Sequence, residues 1–190
     1  MMKSSWQVST AAEAIVAGQF ARFGFDVSVQ YGANQPEYDL IVADGDRMLK
    51  VSVKGSRDGG WGLSQTQLTA LRKAEPEGPT DYHRAADNWL RRHKPGTVMC
   101  FVQFEDAPLD ALPRIYLAWP REVCERLKSA RGGKGDTVLW ERDLRGLRAS
   151  IPDHWKMTEA RVSELLAIKA SAPAHQQNPS ISSSNNNAGN

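Results

Sequence analysis

EYDLIVADGDRMLKVSVKG, residues 37–55, is the stretch that decides the fold. Two runs rich in strand-forming residues, 38–43 and 47–54, flank Asp44-Gly45-Asp46, and that pattern reads as a β-hairpin. If Gly45-Asp46 is a two-residue turn, counting outward sets Ile41 opposite Lys50, Asp39 opposite Ser52 and Glu37 opposite Lys54. Alternation then puts Lys50, Ser52 and Lys54 on one face and Leu49, Val51 and Val53 on the other. Facing side chains lie about 4.5–5.5 Å apart at Cβ and diagonal ones about 7–8 Å. Asp39, Ser52, Lys54 and Glu37 therefore cluster. A three-residue turn would slip the register and bring Asp39 opposite Val51 instead, so the cluster is conditional on the turn.

Upstream, residues 10–23 read as a helix. Thr10-Ala11-Ala12-Glu13 has capping-box spacing, Ala14, Ala17, Gly18 and Ala21 are small enough to lie close to a sheet, and Gly24 is placed to end the helix. Residues 25–31 alternate as a strand and 32–36 are a loop. Downstream come a Gly-rich loop (55–62), a helix (63–74), a Pro/Gly break (75–80) and a second helix (81–94). Strands at 97–104 and 114–119, a Pro-led helix (120–129), a loop (131–136), a short strand (137–141) and a helix (153–170) complete the chain. The order predicts an α/β domain with a mixed central sheet flanked by helices.

Composition bounds the rest. Of 190 residues 41% are hydrophobic, enough for one core, and no internal repeat is visible. Residues 171–190 are mostly Ser, Asn, Ala, Pro and Gln and cannot bury enough surface to offset chain entropy. The expectation is one domain over 1–170 and a disordered polar tail. With 24 basic against 22 acidic residues the net charge is only +2, which excludes binding dominated by overall charge but leaves room for a local basic groove. Cys100 and Cys124 make no disulfide framework or four-ligand zinc site, and the four histidines have no metal-type spacing with them. Both cysteines read as packed core residues. No long apolar run occurs, so no membrane partner and a cytoplasmic location are expected.

The hairpin cluster suits one chemistry in particular. Phosphodiester hydrolysis needs an attacking water, stabilisation of charge on phosphate and a protonated leaving oxygen. Carboxylates hold Mg²⁺, which activates water and clamps phosphate oxygens, and a neighbouring lysine stabilises the developing charge. A helix carrying Glu13 adds an acid over the same sheet edge. Competing bland readings exist. Glu13 is also the expected partner of a Thr10 cap, Asp39 a plain turn residue, Lys54 an edge lysine that blocks sheet aggregation, and Glu37 a solvated loop acid.

The helix with Glu13, then Tyr38-Asp39-Leu40-Ile41-Val42, then a hairpin ending Val51-Ser52-Val53-Lys54-Gly55, resembles the PD-(D/E)XK nuclease superfamily over roughly residues 10–60. That resemblance implies a restriction-endonuclease-like three-layer core, hydrolysis of DNA with Mg²⁺ (or Mn²⁺), and, by analogy with duplex-cutting members such as homing endonucleases, a homodimer. It makes Asp39 the first metal-binding acid, Lys54 the motif lysine, Val53 a donor of its backbone carbonyl to the metal, and Glu13 the helix acid. The second acidic position falls on Ser52, a poor Mg²⁺ ligand, so Glu37 or Glu13 would have to complete the ligand set. Two readings follow: a nuclease with a relocated acid, or a catalytically silent nuclease fold that binds nucleic acid or protein. Arg57, Trp61, Arg91, Arg92, Lys94, Arg131 and Lys134 are the candidate nucleic-acid contacts, Trp61 by stacking on a base or else as a core residue. The run at 91–94 also fits a favourable interaction with a helix C-terminus.

Overall fold

The computed structural model describes residues 4–30, 37–143 and 145–171. The expected loop at 32–36 and all of the expected tail beyond Ser171 fall outside them. The elements are α1 (Ser5–Arg22), β1 (Asp26–Val29), β2 (Leu40–Asp44), β3 (Arg47–Ser56), β4 (Gly60–Gly62), α2 (Gln65–Ala74), α3 (Tyr82–Leu90), β5 (Thr97–Gln103), β6 (Arg114–Ala118), α4 (Pro120–Gly133), β7 (Val138–Trp140), β8 (Ala149–Ser150) and α5 (Glu159–Ser171).

The hairpin forms in the two-residue register. Leu40 pairs with Val51, Ile41 with Lys50, Val42 with Leu49 and Asp44 with Arg47. Gly45 has φ +58° and Asp46 stays negative, the pattern of a II′ turn, whose twist matches that of the flanking strands. Around the hairpin the main sheet runs β1-β2-β3-β5-β6. Only β3 and β5 pair in parallel, so the sheet is mixed. Their crossover carries β4, α2 and α3.

Alternation then divides the core. Leu49, Val51 and Val53 of β3 and Val98, Cys100 and Val102 of β5 pack against Ala12, Val16 and Phe20 of α1 and Val162, Leu165 and Leu166 of α5. Met99 and Phe101 point the other way, into a second core with Trp89 of α3, Val123, Cys124 and Leu127 of α4, and Trp61. The molecule is a three-layer α/β domain with a mixed central sheet between helices, as the pattern predicted. Both cysteines are buried and unpaired, also as expected.

Four expectations need correction. Helix α1 begins at Ser5, where Ser4 and Gln7 form the capping box, so Glu13 is an interior helix residue rather than a cap partner of Thr10. The Gly-rich segment is not merely a loop: its residues extend β3 and form β4, which pairs with β7 and, through it, β8 in a small second sheet. The helix expected from 81 to 94 stops at Leu90. The helix expected over 153–170 is a 3₁₀ turn (Asp153–Trp155) and then α5, separated where Met157 N–H donates to the Ile115 carbonyl at 2.8 Å. Helix α4 leaves helical geometry at Ala130, so its regular part ends where the sequence put it.

Candidate active site

Gly55 sets the position of the helix acid, Glu13. A Cβ on it would lie 2.8 Å from Val8 Cγ1, 3.0 Å from the Val8 carbonyl oxygen and 3.2 Å from Ala12 Cβ. Only glycine lets α1 cross β3 at this depth. The crossing brings Glu13, one residue beyond Ala12, within electrostatic range of both Asp39 and Lys54. Glu13 is half-buried. Burial pushes its carboxyl above the ordinary 4.5, the Asp39 carboxylate pushes it further, and the Lys54 ammonium pulls back.

Asp39 stands just ahead of β2 and is held on three sides. Its N–H donates to the Val51 carbonyl at 2.8 Å, and its carbonyl accepts from Gln30 N–H at 2.9 Å. Its Oδ2 accepts from Val53 N–H at 2.6 Å. One oxygen of the carboxylate is therefore tied to the backbone of the motif strand itself. This bond fixes Asp39 against residues 51–53 more firmly than register alone.

Lys54 lies on β3, the middle strand of the main sheet, which removes the reading of it as an edge lysine. Its carbonyl accepts from Trp61 Nε1–H at 2.9 Å, and its side chain is exposed. With Ser5, Val8, Arg57 and Asp58 it lines a cleft of about 330 Å³. Ser52, by contrast, is only 2% exposed and offers no carboxylate to that surface.

Trp61 does not face solvent. It is 4% exposed, its ring meets Phe101 edge-on at 5.3 Å, and its indole nitrogen is committed to Lys54. Base stacking by Trp61 is thereby corrected: the residue packs the floor beneath the lysine. Glu37 is also drawn elsewhere. Its Oε1 accepts from Lys94 N–H at 2.6 Å and lies 3.3 Å from His93 Nδ1. It caps the turn after α3, a role neither of a solvated loop acid nor of a partner to Glu13. Burial lowers the pKa of His93, Glu37 opposes that, and Lys54 and Arg92 add to it. His93, of the Glu37–His93 pair, thus lies within electrostatic range of Lys54.

Among the described residues no group of three or more His, Cys, Asp or Glu side chains is close enough to hold a metal ion. Two coupled carboxylates are nonetheless a donor set that suits Mg²⁺, which commonly takes one or two carboxylates and keeps several waters. Burial first and the Asp39 charge second raise the pKa of Glu13, and a divalent cation between the two carboxylates would offset the second of these.

The remaining candidate nucleic-acid contacts fall into three groups. Arg57 lines the Lys54 cleft. Arg91 caps α3 and its guanidinium engages Asn88 and the Asp87 carbonyl, while Arg92 and Lys94 are exposed in the turn that carries His93. Arg131 and the exposed Lys134 lie at the end of α4, where Arg131 pairs with Asp136 at 3.3 Å. Sequence reading missed a buried polar group beside the small sheet. Glu141 accepts from Arg114 Nε at 2.5 Å and from the Tyr116 hydroxyl at 2.7 Å. Nothing in the local pattern signals it, because its partners are on β6.

No family model matches the chain, and no curated protein matches it. Solved structures that resemble it distantly include two DNA-processing proteins. A bacterial homing endonuclease is 16% identical, with a TM-score of 0.43 over 89% of this chain and 96% of its own. The Holliday junction resolvase Hjc of Archaeoglobus fulgidus is 14% identical, with a TM-score of 0.34 over 60% of this chain and 73% of its own. No helix among the described residues is long and apolar enough to cross a membrane.

Proposed function

We propose that this chain is a Mg²⁺-dependent endonuclease of the PD-(D/E)XK type, acting on DNA. The observation that carries the reading is the joint interaction of Glu13 with Asp39 and Lys54, which come from a helix, a strand start and the middle strand of the sheet. Asp39 and Glu13 would hold the ion, with the Val53 carbonyl as a further ligand. When bound, Mg²⁺ supplies Lewis acidity toward phosphate oxygen and water.

The chain's own residues do the rest. Lys54 orients the attacking water and donates to the phosphate as its charge builds. The water oxygen forms the new bond to phosphorus while the bond to the leaving oxygen breaks. The water's proton passes to solvent, and the leaving oxygen takes one back from it. Arg57, Arg92 and Lys94 contact flanking phosphates, and two copies of the chain would serve the two strands of a duplex.

One observation favours a second reading. The buried Ser52 supplies no second motif acid, so the fold could bind nucleic acid or protein without cutting. Incubation with supercoiled plasmid separates the two. The nuclease reading expects nicked or linear DNA in Mg²⁺ or Mn²⁺ and none in EDTA, with loss of cleavage in Lys54→Ala. Salt-dependent DNA binding with no cleavage in either ion selects the silent fold.

A further inference from the structure

A second cleft, of about 780 Å³, lies between α2, the end of α4, β7 and the loop before β8. Four arginines line it: Arg72, Arg131, Arg145 and Arg148. Two are laid against aromatic rings. The Arg148 guanidinium sits 4.0 Å from the Trp140 ring centre and that of Arg131 5.3 Å from Tyr82. Stacking of this kind fixes the plane of a guanidinium and leaves its N–H edge available for a planar or tetrahedral oxyanion.

The cleft has one acid, Asp136, and its charge is committed. Oδ2 pairs with Arg131 at 3.3 Å, and Oδ1 accepts from the N–H groups of Thr137 at 2.7 Å and Val138 at 3.2 Å. Arg72, Arg145 and Arg148 make no ion pair with a described carboxylate. The loop that presents two of them is held in shape by Asp143, whose Oδ1 accepts from Arg145, Leu147 and Arg148 N–H at 3.2, 3.1 and 3.3 Å. Arg72 is held instead by a neutral partner, donating to Thr80 Oγ1 at 3.3 Å. Three guanidiniums lining one cleft without an ion-pair partner repel one another, and a bound anion would offset that repulsion.

This cleft is also close to the Lys54 cleft. Gly60, Trp61 and Gly62 of β4 line the Lys54 cleft, and their partners Trp140 and Val138 on β7 line the arginine cleft. One pair of strands, about 4.8 Å apart, separates the two.

We infer that the arginine cleft binds the phosphodiester backbone of a nucleic-acid strand, holding the substrate away from the point of cleavage. The identity of the ligand as nucleic acid rests on the nuclease reading above; the anion site itself does not. Single strands and duplexes present the same phosphates, and the test distinguishes them.

The test is fluorescence anisotropy of labelled single-stranded and duplex oligonucleotides in EDTA over a salt series. Wild type is compared with Arg72→Ala/Arg145→Ala, and circular dichroism checks that the exposed substitutions leave the fold intact. The expected result is a roughly tenfold or greater loss of affinity. The slope of log affinity against log salt should fall by about 1.8 for duplex or about 1.4 for single strands, two phosphates' worth in either case. The DNA form that shows the change identifies the bound form. An unchanged affinity and slope overturn the inference while leaving any Mg²⁺-dependent cleavage by wild type to stand. Arginine-dependent binding by a wild type that cuts no plasmid in Mg²⁺ or Mn²⁺ supports the backbone-binding cleft and sinks the hydrolytic reading. Competition by adenosine triphosphate as effective as by an oligonucleotide overturns it in favour of a small-nucleotide site.

Discussion

Asp39 carries two duties that substitution can separate. Its Oδ2 accepts Val53 N–H at 2.6 Å inside the main sheet, and its charge raises the pKa of Glu13. A hydrogen bond to a charged group contributes about 1.5–3 kcal/mol, and a neutral acceptor roughly half of that. Asp39→Ala leaves a strand N–H without its acceptor; Asp39→Asn can keep it on the amide oxygen. Both substitutions relieve the repulsion on Glu13, so the difference between them isolates the hydrogen bond. The Ala variant should therefore be less stable than the Asn variant by about 1–2 kcal/mol. In a domain of this size that is a gap in melting temperature of roughly 2–8 °C. With a urea m-value near 2 kcal/mol/M the midpoints would differ by about 0.5–1 M. Urea unfolding at pH 7, followed by far-ultraviolet circular dichroism, reads it directly. Both variants should lose DNA cleavage, since neither carries the charge. Equal stability of Asn and Ala would refute the structural role, and cleavage retained by Asn would refute the catalytic one.

Other substitutions test neighbouring parts of the account. Glu13→Gln should stabilise the protein at neutral pH while abolishing cleavage. The folded pKa of Glu13 is raised, so its ionised form costs stability above that pKa, and the variant's advantage should vanish below about pH 4.5 in a pH series of melting curves. Gly55→Ala forces a methyl against Val8 and should cost about 1–3 kcal/mol, with cleavage falling more than stability explains because α1 carries Glu13. Trp61→Phe should lose about 1 kcal/mol by orphaning the Lys54 carbonyl yet leave DNA affinity unchanged, as measured by anisotropy; weakened binding by the folded variant would restore Trp61 as a contact. Glu141→Gln should lower stability by about 2 kcal/mol at pH 7. Burial raises the Glu141 pKa, but the bonds from Arg114 and Tyr116 outweigh it and the net shift is downward. The stability of the ionised group is thus lost as pH falls below about 4.5 through the lower folded value, so the gap to wild type should close there in acid denaturation curves.

The hairpin was the most legible part of the molecule. Gly45-Asp46 dictates a turn length, turn length dictates register, and register put Asp39 beside residues 51–53 before any coordinates. The role of Gly55 was harder to see. It stood in the quoted motif, but a glycine needed for close approach looks like any other until the helix above it is placed. Trp61 stood between two readings, a base-stacking loop residue and a core residue; pairing with β7 turns the Gly-rich loop into a strand and buries the ring, which settles it as core. The start of α1 was missed because Thr10 and Glu13 have the same spacing as the true Ser4–Gln7 cap. Glu37 was assigned by its hairpin position, yet the His93–Lys94 turn, far away in sequence, competes for its carboxylate. The arginine cleft gathers side chains from α2, α4 and the loop before β8, so no local window contains it.

The central claim is that Glu13 and Asp39 share one divalent ion. Carboxyl-detected NMR of the full chain, with pH titrations in EDTA and in Mg²⁺, tests it most directly. The account predicts that Mg²⁺ shifts the two carboxyl signals along one saturable curve and brings the pKa of Glu13 down from its raised value. Signals that ignore millimolar Mg²⁺, or a Glu13 titration that is the same with and without the ion, would contradict it.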